Sequence, residues 1–552
     1  MALPLEKRLN TNYAPSDEEL QEISRILVDP QARLAKMNDE IERAQETLDE
    51  LERQRDKLVR HIDQYRALTS PIRRIPREIL QEIFINCLPT DRPAVMSERE
   101  APLLIGRVCS GWRSISQSTP ELWTSVHVSI PNTTFTASGT SNADYMVAAN
   151  CMAELRTTAL QEWLQRSGSL PIDISFSLWQ DWTHVPFNWN VPNEPHPIVD
   201  TILSVSRRWR KLTVAAHGSS IVCLLTRPHD LPLLETLDVR FPNMAESILS
   251  EIPKSEYNIF RTPSLRRLSL AQSSGDCLDY PVNWANLTDL AIEGVLWEAL
   301  SLHRAVYLLS HCSQLVRCSL EIWTLEGPPI PYSPLTLFHL KCFSIFEGVD
   351  VTAMFDHLDL PALREVEYHT SFSPNPDKKP SLLTLLRNSN RSVQKLSTDP
   401  RRFIMEDLIE CLHFVSDTTT LTLKPSRNNM NIGWFDPTLL DKEFLYSFLP
   451  SANDTLCLKV KLLEILSPLN FFLGQDLLGF ILEKQSDATP DRPDILKLER
   501  IKIFFPHSRR EDVMPHLPEF AQEGLDIQLI YAEPLAMATF SPSRGLPTAI
   551  WA

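Results

Sequence analysis

Apolar side chains near the start of the chain recur at helical spacing. Residues 16–28 place three of them on one face of a helix: Leu20, Ile23 and Leu27. Ser16 and Glu19 have the spacing of a capping box, in which each side chain binds the other residue's backbone N–H. The pattern predicts a short amphipathic helix that ends at Asp29-Pro30, because the residue before a proline disfavours helical geometry.

A stronger pattern runs from Leu34 to Leu68, where apolar side chains recur every seven residues on two neighbouring seams. One seam contains Leu34, Ile41, Leu48, Arg55 and Ile62, and the other contains Met37, Ala44, Leu51, Leu58 and Tyr65. Neither glycine nor proline interrupts this stretch. The pattern therefore predicts five heptads of continuous helix.

These heptads raise the question of self-association through residues 34–68. Arg55 interrupts the apolar seam. The flanking positions offer few complementary charge pairs: Glu40, Gln45, Thr47, Gln54 and Val59. The sequence leaves three arrangements open, namely a self-associated coiled coil, a lone charged helix, and a helix folded against the body of the same chain.

Residues 71–124 contain two apolar helix faces separated by a polar loop. Pro76 occupies a helix-start position, and a wide apolar stripe follows it: Ile79, Leu80, Ile83, Phe84 and Leu88. A second helix is predicted from about Ala101, with an apolar face of Leu103, Leu104, Val108, Cys109, Trp112 and Ile115. Pro120-Glu-Leu-Trp123 closes the segment, which we expect to be a small all-α unit.

Between about residues 207 and 503 a short apolar pattern recurs, LxxLxL or a close variant, as in Leu234-Glu-Thr-Leu237-Asp-Val239. The central apolar residues of the copies are Leu212, Leu237, Leu268, Leu290, Cys318, Phe343, Val366, Leu396, Leu421 and Ile501. Most neighbouring centres lie about 26 residues apart, which is in or near the period of leucine-rich repeats. Each copy predicts a short strand that stacks on the next, because one repeat cannot bury its own apolar face.

The repeats depart from the regular pattern at the position three residues beyond the last apolar residue. A regular repeat holds Asn or Cys there to satisfy backbone groups of the turn, whereas this chain holds Pro242, Ser273, Val295, Trp323 and Gly348. We therefore expect an irregular leucine-rich-repeat-like α/β solenoid, with helices such as residues 296–311 on its outer side. The alternative is a set of short strands from an unrelated α/β domain. Residues 424–495 lack clear copies, and we expect an insertion there.

The chain as a whole is predicted to be an α/β protein with four segments. They are residues 1–69 with the heptad helix, 70–130 with the small all-α unit, 131–532 with the repeats, and 533–552 as a tail. Small and polar residues over 131–150 and a Trp-, Asn- and Pro-rich stretch over 180–198 predict irregular surface segments.

Composition restricts the classes of function. The net charge of −16 disfavours a nucleic-acid-binding role. The chain has only 14 glycines and no GxGxxG or GxxxxGK[ST] loop, which disfavours a nucleotide-dependent enzyme. Ten scattered cysteines without a CxxC pair, no signal peptide and no apolar stretch of about 18 residues predict a cytoplasmic or nuclear protein that does not enter a membrane.

The sequence also carries no recognisable catalytic or metal motif. Neither GxSxG nor HExxH occurs. His311, Cys312, Cys318 and Cys342 lack ligand-pair spacing, and two of these cysteines fall in or beside repeat strands, where cysteine acts as a small hydrophobe. We expect no catalytic residue, no cofactor and no metal.

Residues 71–124 closely resemble an F-box, whose pattern runs LP-x-E-I-L-x-x-I-F, then V-C-x-x-W-R, then P-x-L-W. The matching residues are Pro76, Glu78, Ile79, Leu80, Ile83, Phe84, Val108, Cys109, Trp112, Arg113, Pro120, Leu122 and Trp123. Two features depart from the pattern: Ile75 replaces the usual leucine, and the loop from Leu88 to Ala101 is long. The arrangement with a preceding heptad helix is similar to the large F-box families of mushroom-forming fungi.

The resemblance implies a role as the substrate-recognition subunit of a cullin–RING ubiquitin ligase. The F-box would bind a Skp-family adaptor, and the repeats would bind an unidentified target protein. The residues expected to face the adaptor are Pro76, Ile79, Leu80, Ile83, Phe84, Val108 and Trp112. Several of these can instead belong to the unit's own core, Trp112 and Val108 above all. The alternative function is a non-degradative F-box scaffold that organises an assembly.

Overall fold

The computed structural model describes most of the chain between residues 9 and 531. The described residues are 9, 11–131, 143–179, 195–216, 218–228, 230–241, 252–271, 276–294, 300–325, 334–389, 393–426, 440–449, 456, 459–466, 474–485, 497–505 and 524–531. The predicted irregular segment over 180–198 lies largely outside these residues. Of the one over 131–150, residues 132–142 lie outside them, and the prediction is wrong for 143–150, which belong to a helix that begins at Ala143. The predicted tail over 533–552 lies wholly outside them.

The chain divides into two compact units, Met1–Leu80 and Gln81–Ala552. The described α-helices are α1 Asp17–Thr69, α2 Arg77–Ile85, α3 Ile105–Val108, α4 Ser110–Gln117, α5 Ala143–Arg166, α6 Ile198–Leu203, α7 Gly218–Thr226, α8 Leu302–His311, α9 Thr352–His357, α10 Ser381–Asn388, α11 Met405–Phe414, α12 Lys442–Tyr446 and α13 Gly474–Gln485. Short 3-10 helices include Pro71–Arg74 and Pro120–Trp123.

The first unit is dominated by α1. This helix begins where the first predicted helix begins and ends where the predicted heptad helix ends. The Glu19 N–H donates to Ser16 Oγ (3.4 Å) and the Ser16 N–H donates to Glu19 Oε2 (3.0 Å), so the predicted capping box is confirmed. The heptad helix is confirmed as well. The predicted helix end at Asp29-Pro30 is wrong, because α1 continues through Pro30. Proline removes one backbone hydrogen bond, a loss that the uninterrupted helix-forming residues on both sides outweigh.

The second unit is built on a parallel β-sheet. Its strands are β1 Ser125–Pro131, β2 Ile172–Trp179, β3 Trp209–Ala215, β4 Thr236–Arg240, β5 Arg267–Ala271, β6 Asp289–Glu293, β7 Leu300–Ser301, β8 Arg317–Thr324, β9 Leu335–Thr336, β10 Cys342–Glu347, β11 Leu358–Asp359, β12 Glu365–Thr370, β13 Lys395–Thr398, β14 Thr420–Leu423, β15 Leu462–Ile465, β16 Arg500–Phe505 and β17 Asp526–Tyr531.

The strands of the main sheet lie side by side in the order of the sequence. Along the sheet the order is β1-β2-β3-β4-β5-β6-β8-β10-β12-β13-β14-β15-β16-β17, with β7 paired beside β8. β9 and β11 form a separate pair. Every described strand pair is parallel. Each parallel step needs a crossover connection, and most of the short helices lie in these connections.

The central residues of the predicted copies face one another across the sheet in a continuous register. Leu212 pairs with Leu237, Leu237 with Leu268, and the same register continues to Leu421. A second buried row runs two positions later: Val214, Val239, Leu270, Ile292, Leu320, Ile345, Tyr368, Thr398 and Leu423. The predicted strands are therefore confirmed, and their inward side chains form the core of the sheet.

The sequence pattern missed β15 and the first two strands of the sheet. β15 lies within the stretch 424–495 that was expected to be an insertion, and its Leu463 pairs with Leu421 and with Ile501. Val460 lies three residues before Leu463, so the repeat spacing is present with valine in the first place. β1 and β2 precede the first predicted copy. Of the helix expected over 296–311, residues 302–311 form α8 and residues 300–301 form β7, whereas 296–299 lie outside the described residues.

Gly348 provides a test of the packing at the end of β10. A Cβ added there would lie 2.6 Å from Trp323 Cε3 and 2.8 Å from the Ile322 carbonyl oxygen. Because backbone must shift to relieve this contact, we expect Gly348→Ala to lower the free energy of unfolding by about 1–3 kcal/mol. Thermal unfolding of the full chain measures this loss.

Gly106 in α3 supplies the matched control for this substitution. Its added Cβ would meet atoms no closer than 3.7 Å, and alanine favours a helix over glycine. We expect Gly106→Ala to leave stability unchanged or slightly raised. Equal losses in the two variants would contradict the packing argument.

Candidate functional site

The segment that resembles an F-box folds into short helices joined by turns. The 3-10 helix Pro71–Arg74 precedes α2, and α3, α4 and the 3-10 helix Pro120–Trp123 follow the loop. Pro76 lies directly before α2, and its carbonyl oxygen accepts from the Leu80 N–H (3.1 Å). Pro76 therefore has the helix-start position that the sequence predicts.

Aromatic side chains tie these short helices together. Phe84 from α2 is fully buried, and its ring centroid lies 4.9 Å from that of the half-buried Trp112 in α4. Trp123 is also buried, and its indole N–H donates to the Ser116 carbonyl oxygen (2.8 Å). Phe84, Trp112 and Trp123 therefore fix α2 and α4 within one core.

The predicted second helix is interrupted at Cys109. Cys109 has extended backbone (φ −158°, ψ 170°) and separates α3 from α4. Its Sγ accepts from the Trp112 N–H (3.4 Å), so it caps the start of α4. The Arg113 Nε–H donates to the Gly106 carbonyl oxygen (2.8 Å) and links the two helices. The expectation of one continuous helix from about Ala101 is wrong, because a cap at Cys109 replaces the helical hydrogen bonds there.

α2 carries two apolar faces with opposite environments. Leu80 and Phe84 are buried, whereas Ile79 is 52% exposed and Ile83 is 41% exposed. Residues four apart in a helix share a face, so Ile79 and Ile83 form one exposed apolar face of α2. Pro76, directly before the helix, is exposed too. Together Pro76, Ile79 and Ile83 form what we call the exposed face of α2.

A second pair of exposed apolar side chains flanks α3. Val108 is 58% exposed and Leu104, four residues earlier, is 47% exposed. The expectation that Val108 is among the likeliest core residues is wrong, whereas Trp112 is half-buried against Phe84. Leu104 was noted on the apolar face of the predicted second helix but was not placed in the adaptor-facing set. Its spacing of four from Val108 is the signal that identifies it.

The long loop between α2 and α3 is held by a partly buried ion pair. Arg92 donates to Glu100 through both terminal nitrogens, with Nη1 3.0 Å from Oε1. The Val95 N–H also donates to Glu100 Oε1 (2.9 Å). Partial burial opposes ionisation of Glu100, but the hydrogen bonds from Arg92 and Val95 outweigh it and hold the pKa of Glu100 below its ordinary value. The loop is therefore an ordered part of the segment.

A row of small and polar side chains alternates with the buried apolar rows along the central strands. One such residue lies between the two buried apolar residues of each central strand, and strand register brings it beside its neighbours. We call this row the polar strip: Thr213, Asp238, Ser269, Ala291, Ser319, Ser344, Glu367, Ser397 and Thr422. Most of the polar strip is itself buried, and its partly exposed members are Ser319, Ser344 and Glu367.

Glu367 is the centre of charge on the polar strip. Lys424 Nζ lies 2.7 Å and His369 Nε2 lies 3.3 Å from Glu367 Oε1, and Ser344 Oγ donates to Oε2 (3.4 Å). Burial opposes ionisation of Glu367, but hydrogen bonding by His369 and the charge of Lys424 hold its pKa well below its ordinary value. Glu367 therefore remains ionised and paired at neutral pH.

Of the cysteines considered as metal ligands, Cys312 and Cys318 are buried and Cys342 is partly buried. Burial raises the pKa of Cys312 to about 12 and that of Cys318 well above its ordinary value. A protonated thiol is a poor metal ligand, because the thiolate is the coordinating form. Among the described residues, no cluster of three or more His, Cys, Asp or Glu side chains is arranged to hold a metal ion. Within that part of the chain, no helix is both long and apolar enough to cross a membrane.

Comparison with known proteins adds no family to this picture. No protein-family model matches the chain, and no curated protein matches it in sequence.

The ion pair of the loop predicts a pH dependence. Because the pKa of Glu100 is lowered in the folded state, the pair stabilises the protein above the ordinary glutamate pKa of about 4.3. This stabilisation is lost as the pH falls through the lower folded-state value. We expect Glu100→Gln to cost about 1–3 kcal/mol at pH 7 and little at pH 3, measured by thermal unfolding across this range.

Glu82 gives the control for this measurement, because it is exposed on α2. Glu82→Gln should leave the pH profile of the wild type unchanged. A Glu100→Gln variant whose loss of stability is the same at pH 3 and pH 7 would refute the role of the charged pair.

Proposed function

We propose that the chain is an F-box adaptor that links a target protein to a cullin–RING ubiquitin ligase through a Skp-family adaptor. The observation that carries this proposal is the exposed face of α2, because it lies on the segment whose residues match the F-box pattern. Leu80 and Phe84 of that pattern are buried in the core of the F-box-like segment itself. Pro76, Ile79 and Ile83 are left for a partner.

The physical argument is the cost of exposing branched apolar side chains to water. Fully burying one isoleucine side chain contributes roughly 1.5–3 kcal/mol. Ile79 and Ile83 keep about half of their surface exposed in the fold, so about half of this stabilisation is available from a partner. Anchors spaced four apart on a helix suit a groove in a partner protein. Leu104 and Val108 are two further exposed side chains of the same chemistry, and we add Leu104 to the residues proposed to face the adaptor.

We further propose that the repeats form an irregular solenoid and that the target protein binds the partly exposed part of the polar strip, at Ser319, Ser344 and Glu367. The opposite face of the strands is used for the core, so it offers no free surface. Short side chains such as Ser319 and Ser344 allow a partner to approach the sheet closely, and the charged group around Glu367 supplies polar contacts. Delivery of a target needs no catalytic residue in this chain, because the proximity of target and ubiquitin-loaded enzyme raises their effective concentration.

The alternative function is a non-degradative F-box scaffold that organises an assembly. The exposed apolar seam of α1 favours this alternative, because such a seam suits association of helices. The two functions differ in the fate of the bound target. Proteasome-dependent turnover of the target supports delivery, and a bound target whose lifetime is unaffected by proteasome inhibition supports the scaffold.

The adaptor proposal is tested by a pull-down of the full chain on purified Skp-family adaptor. We expect the double variant Ile79→Asp, Ile83→Asp to bind at least about tenfold more weakly than the wild type, because two charges replace two apolar anchors. Leu80 and Phe84 are unsuitable for this test, since charges at buried positions would unfold the segment.

Leu155 supplies the matched control, because it is exposed on α5, far along the sequence from α2. Leu155→Asp should bind like the wild type, and circular dichroism should show that each variant keeps its helical content. Wild-type chain that fails to bind the adaptor, or a double variant that binds equally well, would overturn the proposal.

A further inference from the structure

The apolar seam of α1 is exposed along its whole length. Its large members are each between 41% and 60% exposed: Leu34, Met37, Ile41, Leu48, Leu51, Leu58, Ile62 and Tyr65. A single solvated helix gains nothing from placing these residues seven apart on two adjacent seams. Two helices that pack along the seams bury all of them. The spacing therefore indicates a helical partner with the same period, and a second copy of α1 has it.

Arg55 distinguishes the two directions in which the copies can align. In a parallel pair each seam residue faces its own counterpart, so Arg55 faces Arg55 at the centre of the interface. Like charges that face each other are destabilising. In an antiparallel pair one seam faces the other, and Arg55 can lie opposite Ala44. The small Ala44 side chain leaves room for the long arginine, whose guanidinium can reach the edge of the interface.

The antiparallel register that places Arg55 opposite Ala44 also fits the rest of the helix. Its facing pairs are Leu48 with Leu51, Ala44 with Arg55, Ile41 with Leu58, Met37 with Ile62 and Leu34 with Tyr65. Every seam residue from Leu34 to Tyr65 has a partner. The same register sets Pro30 of one helix opposite Thr69, the last residue of the other. The overlap thus runs from Pro30 to Thr69 and contains every heptad from Leu34 onward, whereas residues 17–29 of each α1 extend beyond it.

We propose that the chain forms a homodimer through an antiparallel coiled coil of α1, in the register that pairs Ala44 with Arg55. This inference does not rest on the proposed function. At 1.5 Å per residue, the two copies of Thr69 lie roughly 60 Å apart along the coil. The dimer would present two copies of the segment 70–124 from opposite ends, which allows bivalent binding to a partner that is itself repeated.

The direction of the coil is tested by a single substitution, Ala44→Glu, in sedimentation equilibrium of the full chain. In the antiparallel register the new carboxylate faces Arg55 of the second copy at two places. We expect the dissociation constant to fall about three- to tenfold at low salt and less at high salt. In a parallel pair the same change sets two glutamates against each other and weakens the dimer.

A charge-swapped pair of variants strengthens the test. Ala44→Arg should weaken the dimer at least about tenfold, because it faces Arg55. Adding Arg55→Glu to Ala44→Arg should restore most of the affinity in the antiparallel register alone. The control Ala35→Glu lies on the same helix outside both seams and should leave the dissociation constant unchanged.

Three results would overturn the proposal. A wild-type chain that is monomeric at tens of micromolar would show that α1 has no second copy as partner. A dimer that Ala44→Glu weakens would be parallel. A dimer that responds to neither Ala44→Arg nor the double variant would use a surface other than α1.

Discussion

The second unit depends on one constraint, the register of its parallel strands. Each strand buries two side chains on one face, the central residue and the residue two positions later. A single strand with its connection cannot bury both, so neighbouring strands are needed. Pairing brings Leu212, Leu237 and Leu268 side by side, so each buried row continues across the sheet. A slip of one residue would exchange the buried apolar row for the polar strip. This register therefore fixes the core and the polar strip at the same time.

The irregular turns after the strands are tolerated because other side chains bind the backbone groups of the turn. Regular repeats use an asparagine after the strand to satisfy the backbone of the turn, and Gly348 stands at that position after β10. Glu347 takes the role instead: its Oε1 accepts from the Val351 N–H (3.2 Å) and from Ser381 Oγ (2.6 Å). After β13, Asp399 accepts from the backbone N–H groups of Arg401 (3.2 Å) and Ser426 (3.0 Å). Carboxylates thus take the place of the expected amide in these turns. Burial raises the pKa of Glu347 above its ordinary value.

The sequence predicts the parts of the fold that local spacing determines. The strand centres from Leu212 to Leu421 and the heptad helix follow from periodicity alone. Periodicity fails where one residue changes the hydrogen bonding without changing the pattern, as at Pro30 and at Cys109. It also fails in α2, because the apolar stripe from Ile79 to Phe84 is wide enough for either half to face inward. Packing of Phe84 on Trp112 decides this, and no local signal in α2 contains that contact.

Apolar side chains are buried in the repeats but exposed in the N-terminal part, and this contrast bears on function more directly than any single motif. Within the described repeats most apolar side chains of the strands lie in the core, and the partly exposed members of the polar strip are polar: Ser319, Ser344 and Glu367. In the first 124 residues, exposed apolar side chains are arranged at helical spacing, on α1 and on the exposed face of α2. A fold under selection for stability alone gains nothing from keeping isoleucines exposed at positions where polar residues would serve. The N-terminal part is therefore suited to apolar protein contacts, and the sheet to polar ones. Two surfaces of different chemistry in one chain are what a protein that joins two unlike partners requires.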